Sequence, residues 1–212
     1  MKAITLACFS CLALVTLQVL GQTAKNDFLI VIEGVKCSVN AYKPKAPIVF
    51  EPIVAQDSLP ASQLIVAIML SNSDISSHMK DERISAFFEA KLDVDRIKKF
   101  RSAMKGAFNS PLSSTADNPW KGVKYSINQA FEVESEKGKF LVYQLMSQGE
   151  KNVGGKVTSS LRNVAGKWFI GADESEEIED FRLSLSKLVP AEFAKLHQAS
   201  SIEALPFEDL LK

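Results

Sequence analysis

Residues 123–170 read VKYSINQAFEVESEKGKFLVYQLMSQGEKNVGGKVTSSLRNVAGKWFI. Val123, Tyr125, Ile127, Phe131 and Val133 alternate with Lys124, Ser126, Asn128, Glu132 and Glu134. A period of two is that of a strand with one buried face. Phe140 to Met146 makes a second run and Val157 to Leu161 a third, and Trp168-Phe169-Ile170 follows a turn. The stretch predicts three strands in a meander, with turns at Gly138, at 149–155 and at Gly166. Glycine supplies the positive φ that hairpin turns need. Tyr125, Ile127, Phe131 and Val133 are expected together on one sheet face.

The flanking segments predict cover for that sheet. Phe28 to Ile32, Cys37 to Tyr42, Ile48 to Phe50 and Ile53-Val54 read as two or three strands. Pro44, Pro47 and Pro52 put them at a sheet edge, because proline cannot donate to a central ladder. Ser58 and Pro60 form a helix-start signal ahead of Leu64, Ile65, Ala67, Ile68 and Leu70. That run predicts a buried helix ending near Ser71-Asn72, with a buried strand as the alternative. Asp81 to Gly106 carries two apolar stripes at helical spacing, for two helices or one kinked near Asp93. Asn109 to Asn118 is a loop. Ile178, Phe181, Leu185 and Leu188 lie on one face of a closing helix. Pro190 is expected to interrupt it, with Phe193 and Leu196 in a second short helix. Leu205 to Leu211 either packs or frays.

These elements give an α+β fold: a curved antiparallel sheet with helices packed on one face and a C-terminal helix after the sheet. Residues 22–57 are the N-terminal strands, continuous with an α+β domain over 58–200. Residues 201–212 form a C-terminal tail.

The N-terminus reads as an export signal. Met1-Lys2 is followed by a mostly apolar run to Leu20, and Val19 and Gly21 suit the subsites of a signal peptidase. Residues 1–21 are therefore read as a signal peptide, for a periplasmic or secreted protein. An uncleaved N-terminal anchor is the alternative. Cys8 and Cys11 lie inside the signal, which leaves Cys37 as the sole mature thiol. Its strand-like flanks predict a buried, inert side chain. Lys and Arg number 25, matching 25 Asp and Glu. The balance supplies no basic face for nucleic acid and no polybasic signal for anionic lipid. No transmembrane span is expected once the signal is removed.

No motif in the chain specifies a reaction, a cofactor or a metal. The acidic run Asp173 to Asp180 lacks the glycine-punctuated spacing of a calcium loop and reads as the start of a helix. His78 and His197 have no second ligand at metal spacing. Gly154-Gly155-Lys156 lacks the outer glycine and the hydroxyl of a phosphate loop. No serine lies in a Gly-x-Ser-x-Gly elbow. Catalytic residues are therefore none. Tyr125, Tyr143 and Trp168 are the candidates for a ligand pocket, and filling the core is the other use of such aromatics.

Helices, then a long meander, then Asn163-Val164-Ala165-Gly166-Lys167-Trp168-Phe169-Ile170 resemble the nuclear-transport-factor-two and ketosteroid-isomerase superfamily of cone-shaped, cystatin-like α+β proteins. The resemblance spans Ser58 to Gly171. It implies a cone whose catalytic members carry acidic and tyrosine side chains inside. No residue here maps onto those positions. The function expected is an exported, non-catalytic binding or accessory domain, contacting a small apolar ligand or another envelope protein. The alternatives are a cone-type pocket enzyme, an isomerase or hydrolase, and a membrane-anchored structural protein.

Overall fold

The computed structural model describes residues 27–50, 62–70, 124–148, 155–170, 175–199 and 202–212. The signal segment, Ser58 and Pro60, Asp81 to Gly106, Asn109 to Asn118, His78 and Gly154 lie outside them. Residues 123–170 hold four strands rather than three. They are β4 (Lys124–Ser135), β5 (Gly138–Gln148), β6 (Gly155–Val164) and β7 (Lys167–Phe169), and the segment after Gly166 is a ladder strand in its own right. Ahead of them come β1 (Asp27–Ile32), β2 (Val35–Lys43), β3 (Ile48–Phe50) and helix α1 (Gln63–Leu70). Helix α2 (Glu176–Gln198), β8 (Leu205–Pro206) and a closing 3-10 helix (Phe207–Leu211) follow.

The sheet has eight strands in the order β1-β2-β4-β5-β6-β7, with β3 beside β4 and β8 beside β2. Every pairing is antiparallel except the short β2–β8 contact. The fold is α+β with the long helix after the sheet. β2 pairs with the second half of β4, from Ala130 to Ser135, and β3 with the first half, from Tyr125 to Ile127. Pro44 and Pro47 sit in the link between β2 and β3, where no ladder donor is needed.

A register shift between Ile127 and Gln129 breaks the β4–β5 ladder. One extra residue reverses the facing of every side chain beyond it. Tyr125, Ile127 and Ala130 therefore pack in one core cluster, while Phe131 and Val133 pack in another. The face expected to carry Tyr125, Ile127, Phe131 and Val133 together is divided between the two sides of the sheet. Along β5, Leu141, Tyr143 and Leu145 join the first cluster, and Phe140 and Val142 join the second. α1 supplies Leu64 to Met69 to the first cluster, and α2 supplies Phe181, Leu185, Val189 and Phe193 to the second. Each face of the sheet thus has its own helix, because the sheet is buried on both sides.

α1 begins at Ser62, whose hydroxyl accepts from the Ile65 N–H at 3.5 Å and whose carbonyl accepts from Val66 at 3.1 Å. The apolar run after it is a helix, which settles the strand alternative. α2 runs unbroken through Pro190 rather than stopping there. Phe193 and Val189 on either side of the proline are both buried in the core, and that burial outweighs one missing backbone donor. The tail packs: Phe207 is fully buried in the α1 cluster. None of the described helices is long and apolar enough to cross a membrane.

Candidate functional site

Tyr125, Tyr143 and Trp168 converge in the α1 cluster. Tyr125 lies opposite Phe50 in the β3–β4 ladder, and their rings stack at 5.8 Å. Tyr143 is the largest fully buried side chain among the described residues. It points to the same face because Ala130, its ladder neighbour, does so. Trp168 is carried by β7, whose outer edge α1 closes. Gln63 Nε2 donates to the Trp168 carbonyl at 2.6 Å, and the Trp168 N–H donates to Gln63 Oε1 at 3.1 Å. One side-chain amide thus takes the place of a neighbouring strand. Leu64, Ile68 and Phe207 complete the surroundings. Tyr42 belongs to the same cluster, and burial, followed by the nearby Glu132 charge, pushes its phenol above the usual range. The three candidate aromatics therefore share one buried cluster with α1.

The other chemistry-bearing residues lie elsewhere. Cys37 is fully buried in the α2 cluster, and its thiol donates to the Val35 carbonyl at 3.6 Å. Burial, and secondarily the Glu136 charge, push that thiol up to about 11, so it holds its proton at neutral pH. His197 stacks on Phe193 at 5.4 Å, with Nδ1 2.9 Å from the Ile202 carbonyl. A carbonyl only accepts, so Nδ1 donates, and the ring ties the end of α2 to the tail. In the acidic run, Ser175 opens α2 through its backbone carbonyl, which accepts from Ile178 at 2.9 Å. Glu177 pairs with Lys137 at 2.8 Å. The hydrogen bond and charge of Lys137 hold that carboxylate below its usual range, and Lys137 also lies 4.9 Å from the Phe181 ring centroid. Among the described residues, no three His, Cys, Asp or Glu side chains gather as a metal site.

Two structural anchors escaped the sequence reading. Gln63 is one. Arg182 is the other: from α2 it donates to the Ser160 carbonyl at 2.7 Å, the Ile170 carbonyl at 3.0 Å and the Ser160 hydroxyl at 3.3 Å. It pins the helix across β6 and the end of β7. Only an arginine beside the apolar stripe, next to Phe181, signals it in the sequence.

Among the described residues, one region of the sheet carries exposed apolar side chains. Val49, Ser126, Met146 and Lys156 are direct ladder neighbours across β3, β4, β5 and β6, so their side chains share a face. The facing is that of α2, opposite to Tyr125 and Ile127, but the row lies beyond the bulge. Val49 is 53% exposed and Met146 41%. Two large apolar side chains thus stand in solvent beside a serine and a lysine, on rigid paired strands. No family model, curated protein or solved structure matches the chain.

Proposed function

We propose that the chain is an exported, non-catalytic binding or accessory domain that works by contact with another envelope protein. The observation that carries this reading is the exposed row Val49, Ser126, Met146 and Lys156. Apolar side chains held on a strand and left in water favour a partner that covers them. Tyr125, Tyr143 and Trp168 are buried in one cluster with α1, so this reading puts the contact surface on the outside of the sheet. Export rests on the sequence of residues 1–21. The likeness to the cone-shaped superfamily belongs to the same reading, as a scaffold whose outer surface does the work.

A photo-reactive residue at position 146, introduced in the native host, tests the contact. One dominant envelope-protein adduct is expected, absent when the same residue replaces exposed Lys187 on α2. Equal labelling at both positions overturns the reading. Mass spectrometry of the isolated protein tests export: the N-terminal peptide is expected to begin at Gln22, and a chain beginning at Met1 rules processing out.

A further inference from the structure

The ends of the sheet are closed by local devices, with one exception. β7 is three residues long, opens with Lys167, and has both backbone groups of Trp168 taken by Gln63. β3 is three residues long and follows Pro47. β8 is two residues long and includes Pro206. Short length, lysine, proline and capping are the means by which sheets avoid pairing with other chains. β1 is six residues long with no lysine or proline, and its one charge, Asp27, stands at its start. Asp27-Phe28-Leu29-Ile30-Val31-Ile32 pairs with β2 residue for residue, with no bulge. Among the described residues, no strand pairs with its outer side. An antiparallel edge turns alternate N–H and C=O groups outward, so β1 presents a ready ladder. Its side chains differ by face. Phe28, Ile30 and Ile32 are buried under α2, whereas Leu29 and Val31 are half-buried and pack in neither core cluster.

We propose that β1 pairs antiparallel with β1 of a second copy of this chain, joining two eight-stranded sheets edge to edge. The strand is self-complementary about Leu29. A two-fold axis there sets Leu29 opposite Leu29 of the second copy, Phe28 opposite its Ile30, and Asp27 opposite its Val31. Each pair shares a face, and no like charges meet. Centring on Ile30 would instead bring Asp27 against Glu33 of the copy. The Leu29 axis also brings Leu29 and Val31 of both chains together, flanked by Asp27, which further buries two half-buried side chains that pack in neither core cluster among the described residues. Both copies of α2 lie on the same face of the joined sheet, and the contact is isologous and closed.

Sedimentation velocity on the protein isolated from cells, with Leu29→Lys alongside, tests this. The unaltered chain is expected to form dimers. Leu29→Lys is expected to weaken dimerisation by about ten-fold or more, while its melting temperature matches that of the unaltered chain at dilutions where both are monomers. Should the lysine variant fold poorly, Leu29→Cys decides: oxidation is expected to yield a disulfide joining residue 29 of two chains, because directly opposed strand residues lie within bonding reach. A monomer at every concentration overturns the proposal. So does a dimer indifferent to Leu29→Lys that forms no such disulfide, open-ended filaments, or a monomer that binds an unrelated extended peptide along β1.

Discussion

Cys37 shows how a strand position controls a side chain's chemistry. Its thiol is buried beneath α2 and raised to about 11. The thiolate fraction at neutral pH falls by about two orders of magnitude relative to the unfolded chain. In the isolated protein, native Cys37 is therefore expected to react with a thiol reagent at least about 100-fold more slowly than after denaturation. Folding raises this pKa, so the associated stability is fully present below the ordinary thiol pKa. It is lost as the pH climbs from there through about 11. Denaturant midpoints measured along that window should fall, and the Cys37 part of the fall should vanish in Cys37→Ala. Ala165 offers a second test. It sits at φ 50, followed by Gly166 at φ 83, in the two-residue β6–β7 turn. Both central residues of such a turn need positive φ, which asparagine tolerates better than alanine. Ala165→Asn is expected to stabilise the fold by about 0.5–1 kcal/mol, read as a raised urea midpoint. The strand-like flanks of Cys37 made its burial legible from sequence. The Ala165 strain was half legible, since only Gly166 marked the turn.

Between elements, the decisive features are a bulge and two side-chain clamps. The bulge after Ile127 sends Tyr125 and Phe131 to opposite cores. No glycine or proline marks it; its one sign is Gln129, a polar residue where the alternation of Tyr125, Ile127 and Phe131 calls for an apolar one. Apolar spacing alone counts residues and has no means of seeing one left unpaired. Gln63 is silent in sequence, because a glutamine before an apolar helix resembles any solvated residue. Its amide satisfies both backbone groups of Trp168. Gln63→Ala should leave them without these bonds and cost about 1–3 kcal/mol. Gln63→Glu should recover only part, since a carboxylate accepts from the Trp168 N–H but cannot donate to its carbonyl. Urea denaturation of the two variants orders these outcomes; equal stability of all three proteins would show that α1 docks without the clamp. α2 gives the converse lesson. Pro190 reads locally as a break, yet the apolar residues on both sides are held in one core and the helix continues.

Across the whole molecule, the tail joins the two faces. Ile202 packs in the α2 cluster, Leu205 and Pro206 pair with Tyr42 and Lys43 of β2, and Phe207 enters the α1 cluster. The Lys45 N–H donates to Glu208 Oε1 at 3.1 Å and holds the end in place. Phe207→Ala is expected to cost about 3–5 kcal/mol, the range for emptying a buried phenylalanine site. Removing residues 205–212 should cost at least as much, measured by thermal and urea unfolding. A tail that could be cut without loss would mean that the α1 cluster closes without it. Sequence alone determined three of the meander's four strands, the first part of the closing helix and the α+β class, because the periods of two and 3.6 are properties of the local backbone. Only the tertiary structure decided that both sheet faces are cores, that Tyr125, Tyr143 and Trp168 are buried together, and that Val49 and Met146 face water. Those outcomes depend on which segment pairs with which, and on a single unpaired residue in β4, and neither is encoded in a repeating pattern.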